Sequence, residues 1–214
     1  ITKNRFLRDF IEGFSFIVST KGLLAILVIA TTYNTLLGPI YHTLIPVFVT
    51  DYNNGNSTHL ALVFSSFQLG VLITSIVLTT KDIIKNKPLG MLAGSLMSCI
   101  GLIALVFSPT GDWLISSAVA MFVAGCSFSV VVICSQTIWQ HAVPMEKLGR
   151  VLSARIFLAR SLMPIGSLLV GAIAEVIGIV PVFGILPTIA ILAVLGIYSL
   201  GNVGEIRVQK QPAL

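Results

Sequence analysis

The chain is 214 residues long, 56% hydrophobic and only 10% charged, with a mean hydropathy of +0.99. Soluble domains carry about 25% charged residues, so this composition excludes an ordinary water-soluble globular protein and points to repeated membrane spans. The net charge of +5 and a pI near 9.3 could serve a nucleic acid, but the cations sit in short connectors between apolar runs, where topology signals belong, and no nucleic-acid partner is expected.

The chain opens on Ile1 and not on Met, which reads as a fragment or excised portion of a longer protein. The first long apolar run is too long for a cleavable signal peptide. Before it, RFLRDFIEGFSF spaces Phe6, Phe10 and Phe14 four residues apart, while Arg5, Arg8, Asp9 and Glu12 project elsewhere. Residues 1–21 therefore read as an amphipathic linker helix on the inner membrane surface, or as a helical extension feeding straight into the first span.

Six apolar runs follow: Gly22–Val49, Leu60–Thr79, Leu89–Phe107, Trp113–Trp139, Val151–Ile177 and Val180–Leu200. The fold class is all-α: a polytopic membrane protein with one six-helix bundle over residues 22–201 and a tail at 202–214. The connectors Asp51–His59, Ser108–Asp112 and the turn at Gly178 carry no Lys or Arg. Lys3, Arg5, Arg8, Lys21, Lys81, Lys85, Lys87, Lys147, Arg150, Arg155, Arg160, Arg207 and Lys210 all fall on the other side. The positive-inside rule makes that side cytoplasmic and places both termini there, in a multi-pass protein of the cell membrane. Asn56-Ser57-Thr58 in an outer connector matches a glycosylation sequon, but reads first as a polar turn after Asn54-Gly55.

Polar groups in hydrocarbon need partners or a wet cavity, so their positions mark the helices that line a path. The first span holds Tyr33, Asn34 and Thr35 near its middle, then Gly38, Pro39 and Pro46, which should bend its outer half. The fourth carries Ser127, Ser129 and, nearer the cytosol, Gln136. These two longest runs each open a block of three, as in a three-plus-three inverted repeat. Hydroxyls and glycines also serve plain helix packing; the amides Asn34, Gln136 and Gln68 are the stronger substrate-cavity candidates, because an amide is harder to satisfy on its own helix. Gly90/Gly94 and Ser167/Gly171 have the spacing of helix contacts. His42 reads as an interfacial residue. Arg160 and Glu175, candidate gating charges, stand 15 residues apart on the fifth span, about 22 Å, which is short of a hydrocarbon layer of about 30 Å. Cys99, Cys126 and Cys134 lack metal or disulfide spacing. No nucleotide-binding, hydrolase or zinc-protease motif is present, so neither an enzyme nor a cofactor is expected.

Two stretches carry a family resemblance. DFIEGFSFIVSTKGLLAILVI (Asp9–Ile29) and VPMEKLGRVLSARIFLARSLMPIGSLLVGAIAEVIG (Val143–Gly178) resemble the C-terminal half of a major facilitator superfamily transporter, in the drug-efflux branch that includes macrolide and enterobactin exporters. The family's glycine- and arginine-rich loop motif is reduced here to Lys81-Asp82 with Lys85 and Lys87. The resemblance implies a twelve-helix exporter of amphipathic drugs or hydrophobic metabolites driven by the proton gradient, with the first and fourth spans lining its cavity. It also implies a bilayer, a small-molecule substrate and an N-terminal six-helix half (or a second copy) as partners. An importer of small solutes, and a non-transporting scaffold or orphan half, are the alternatives.

Overall fold

The computed structural model of the chain describes residues 3–20, 22–81, 83–107 and 112–201, with residues 3–6 by backbone alone. Among them every regular element is helical. Helix α1 (Lys3–Ser19) precedes six apolar elements long enough to cross a membrane: Leu23–Tyr52, Ser57–Thr80, Lys87–Phe107, Trp113–Ala142, Met145–Ile177 and Ile179–Leu200. The first contains α2 (Leu23–Leu36) and α3 (Ile45–Val47); the second, third and fourth are α4 (Ser57–Thr80), α5 (Lys87–Ala104) and α6 (Trp113–Ala142); the fifth joins α7 (Leu148–Ser161) to α8 (Met163–Ile177); the sixth is α9 (Ile179–Leu200). The expected runs are recovered to within a turn, except that the fifth starts earlier, at Met145 and not at Val151. Lys21, Asp82, residues 108–111 of the Ser108–Asp112 connector, and the tail from residue 202 with Arg207 and Lys210 lie outside the described residues, as do the side chains of Lys3, Arg5 and Phe6.

Local chemistry sets the element ends. Asn56 accepts a hydrogen bond from His59 N (3.1 Å), and His59 Nδ1 accepts one from Asn56 N (3.3 Å), a reciprocal cap that starts α4. The sequon asparagine is thus a helix cap, as the turn reading requires. Asn86 caps α5 by accepting from Leu89 N at 3.1 Å. Gly22 takes φ 81 between α1 and α2, a left-handed conformation that glycine adopts freely. In the first span Gly38, Pro39 and Pro46 disrupt the ladder, and the chain answers with π-helical turns at Ile40–Leu44 and Phe48–Tyr52. The fifth span breaks at Leu162, because Pro164 has no N–H for the carbonyl four residues back. Lys147, Arg150, Arg155 and Arg160 all precede this break, and α8 carries no cation. The basic stretch is therefore a helix of its own.

The second span packs along the fourth, the fourth along the third, the third against the sixth, the sixth against the first and the first against the fifth. Exchanging the first three spans for the last three maps these contacts onto themselves, and because spans consecutive in the chain alternate in direction, the exchange pairs spans of opposite direction. The bundle is a three-plus-three inverted arrangement. Its middle members, the second and fifth spans, are the least covered. Small residues allow the close approaches: a Cβ on Gly70 would meet the Phe122 carbonyl, one on Gly125 the Phe67 carbonyl, and one on Gly166 the Thr35 carbonyl. Gly90 and Gly94 meet Cys134 and Ser127 of α6, as their spacing implies. Gly171, by contrast, faces open space, so the Ser167/Gly171 pair makes no such contact within this chain.

Helix α1 does not stand apart from the bundle. It lies antiparallel along α7: Phe16 beside Lys147 Nζ (5.8 Å from the ring), Gly13 against the Arg150 carbonyl and Ala154, and Phe10 edge-on to Phe157 at 5.5 Å. Arg150 reaches back to Glu12 (2.7 Å) and Asp9 (3.3 Å). Ile17 is fully buried with Leu23, Trp139 and Val151. The Phe10 side of α1 therefore faces protein, while Phe14, four residues on, stays 41% exposed.

Gly125→Val should lower thermal stability in detergent by about 1–3 kcal/mol, since the added groups meet backbone that cannot yield. Gly171→Val, in open space, should leave the unfolding midpoint nearly unchanged.

Candidate functional site

Hydroxyls in the spans mostly satisfy themselves. Thr31 donates to Leu27 O (2.9 Å), Ser127 to Val123 O (2.8 Å) and Thr137 to Ile133 O (2.8 Å), each one turn back on its own helix. Ser127 is buried where Gly94 meets its carbonyl, and Ser129 is buried and bonded to Ser75 of α4 at 2.8 Å. Both candidate serines thus lie in helix–helix contacts. The Thr35 hydroxyl oxygen is buried without a hydrogen-bond partner, on the turn that Gly166 of α8 packs against.

Tyr33 is buried and its hydroxyl meets Ser98 Oγ of α5 at 2.7 Å; Tyr41 reaches the same oxygen at 2.8 Å. In a regular α-helix two residues eight apart would point about 80° away from each other. The interruption after Leu36 and the π turn at Ile40–Leu44 bring both phenols to Ser98. The two tyrosine rings join an aromatic cluster: Tyr41 and Phe67 at 5.3 Å, Phe67 and Phe128 at 5.8 Å, and Tyr33 and Phe128 at 6.2 Å. These rings tie together the first, second and fourth spans.

Asn34 and Gln68 directly follow Tyr33 and Phe67 in the chain, about 100° further round their helices. Asn34 is half-buried and Gln68 exposed, and neither amide has a hydrogen-bond partner among the described residues. Gln68 lines an open groove of about 460 Å³ on the uncovered face of α4, with Phe64, Ser65 and Leu72. Two mid-span amides without partners among the described residues need water, a ligand or a group outside them, because an unmet amide in hydrocarbon is costly.

Gln136 is placed differently. Its side-chain oxygen accepts from Arg155 Nη1 at 2.9 Å, Arg155 Nη2 donates to Ser135 Oγ at 3.0 Å, and the guanidinium lies 5.1 Å from the Trp139 ring. No described carboxylate pairs with Arg155, so a half-buried cation is held by neutral groups that join α6 to α7. Arg160, on the last turn of α7, and Glu175, on α8, are both exposed on either side of the Leu162 break, and neither pairs with a described residue. His42 is exposed beside the buried Tyr41. Among the described residues no cluster of His, Cys, Asp or Glu could hold a metal.

Sequence reasoning did not find Ser98, Phe67, Phe128 or Arg155. Arg155 had a signal: Gln136 and Arg155 stand almost equally far from the Val143–Lys147 turn, so antiparallel helices must bring them abreast. The ring cluster had none, because aromatic residues on separate spans reveal their contact only through packing.

The chain is 29% identical over 174 residues to macrolide efflux protein A of Streptococcus pyogenes, a match covering 81% of this chain and 42% of that protein. It is likewise 29% identical over 161 residues to macrolide efflux protein A of Enterococcus faecalis, covering 75% of this chain and 49% of that protein. It spans less than half the length of the curated relatives it matches. No family model and no solved structure matches it. These relatives bear out the macrolide-exporter resemblance read from the two sequence stretches.

Ser98→Ala should remove the oxygen that both buried phenols share, leaving them only each other, and cost about 1–3 kcal/mol in thermal unfolding. Adding Tyr33→Phe and Tyr41→Phe to that variant should recover part of the loss, since apolar groups of the same shape carry no unmet polar atom.

Proposed function

We propose that this chain is the C-terminal six-helix half of a secondary active exporter in the cell membrane. Such a protein moves amphipathic drugs or hydrophobic metabolites outward by alternating access, rocking one bundle against another around a mid-membrane site. The basic ends of the spans, and both termini, are cytoplasmic. The partner bundle covers the faces left open on the second and fifth spans. The proton gradient is assigned as the driving force on the resemblance alone.

The observations that support this reading are the cluster of Tyr33, Tyr41, Phe67 and Phe128 and the unmatched mid-span amides Asn34 and Gln68, next in sequence to two of its rings. Sites for amphipathic small molecules combine aromatic and apolar surface with a few polar groups that fix orientation. The relatives are named for macrolide efflux, and a macrolide has that dual character.

Asn34→Ala and Gln68→Ala in the complete protein should each reduce efflux of a labelled macrolide from intact cells several-fold at equal membrane abundance, and together nearly abolish it. Unchanged efflux by the double variant would overturn the site; no efflux by the unaltered protein would favour a different solute or a scaffold.

A further inference from the structure

Helix α1 carries three longitudinal faces. Phe10, Gly13 and Ile17 dock on the bundle. Leu7, Ile11, Phe14 and Val18 recur at three- and four-residue steps on another face and are 51%, 62%, 41% and 50% exposed. That is an unbroken apolar stripe that the described residues leave about half exposed. Between the two faces runs a polar strip, Arg8, Ser15 and Ser19, which with Phe16 and Lys147 lines an open groove of about 450 Å³.

The charge in this groove is one-sided. Its carboxylate, Glu12, is taken by Arg150 Nη1 at 2.7 Å, and Asp9 next to it by Arg150 Nε at 3.3 Å. Arg8 and Lys147 pair with no carboxylate among the described residues, and with Arg150 set against both Asp9 and Glu12 the cluster keeps a net charge of +1. A net positive groove with two hydroxyls beside an apolar stripe at the basic end of the bundle matches the two parts of an anionic phospholipid: phosphate in the groove, acyl chains along the stripe.

We infer that the groove between α1 and the α6–α7 turn binds an anionic phospholipid of the leaflet at the basic end of the spans, with Arg8 and Lys147 receiving the headgroup phosphate. That leaflet is the cytoplasmic one under the orientation proposed above, but the site itself does not depend on transport. Arg150 is the positioning residue: it holds α1 against α7 and draws Asp9 and Glu12 toward itself, away from Arg8 and Lys147.

Native mass spectrometry of the purified full-length protein with added phosphatidylglycerol or phosphatidylcholine tests this directly. The unaltered protein should retain phosphatidylglycerol over phosphatidylcholine by more than about tenfold. Arg8→Gln with Lys147→Gln should remove the preference, whereas Lys81→Gln with Lys85→Gln, an equal loss of charge elsewhere, should keep it. Equal retention of the two lipids, or equal losses in the two double variants, would overturn the site. In native membranes, Phe14→p-benzoylphenylalanine should photocross-link to lipid. A protein adduct at that position would show the stripe to be a protein interface and would also overturn the inference. Loss of macrolide efflux bears on neither outcome.

Discussion

Backbone-to-backbone approach at glycine holds this bundle together. Apolar helices gain little by leaving lipid for one another, since the tails are as apolar as leucine, so association depends on close van der Waals contact. Gly70 sits under the Phe122 carbonyl and Gly125 under the Phe67 carbonyl, a reciprocal pair joining the second and fourth spans. Gly166 sits under the Thr35 carbonyl, joining the fifth and first. The inverted repeat exchanges these two interfaces, so both blocks of three use the same device. The candidate site inherits its geometry from it, because pinning the Phe67 backbone to Gly125 sets the Phe67 ring beside Phe128 and Tyr41.

The second organising constraint is the cost of an unmatched polar group in hydrocarbon. Single hydroxyls meet it by bonding one turn back, as Thr31, Ser127 and Thr137 do, and the phenols of Tyr33 and Tyr41 meet it at Ser98. Gln136 meets it through Arg155. Asn34 and Gln68 do not meet it within the described chain, and that contrast is what singles them out as site candidates. The same constraint explains the basic segment before the fifth span: the break at Leu162 ends α7 just after Arg160, so the cations share one helix at the end of the bundle and the apolar α8 begins beyond them.

The six spans were legible because apolar length is a property of the sequence itself, and the one-sided cations confirmed the count. The bend in the first span was legible from Gly38, Pro39 and Pro46, but its form was not. Whether the ladder kinks or widens into π turns depends on what the displaced residues can reach, here Ser98 on another span. The break at Leu162 had a signal in Pro164. The docking of α1 on α7 had none, because Leu7, Phe10, Ile11, Phe14, Ile17 and Val18 share one apolar arc of about 120° and the sequence does not say which edge of it meets protein. Asn34, Gln68 and Gln136 ranked alike as amides within spans; only tertiary contacts separated the one with an arginine partner from the two without.

The most direct measurement is the accessibility of the two unmatched amides to water in the complete protein. With Cys99, Cys126 and Cys134 replaced by alanine, cysteine at position 34 or 68 should react with a charged, membrane-impermeant maleimide, and a bound macrolide should slow that reaction. If neither position reacts from the aqueous phase while a lipid-soluble maleimide labels both, the amides face lipid and not a substrate path, and the account of the site fails.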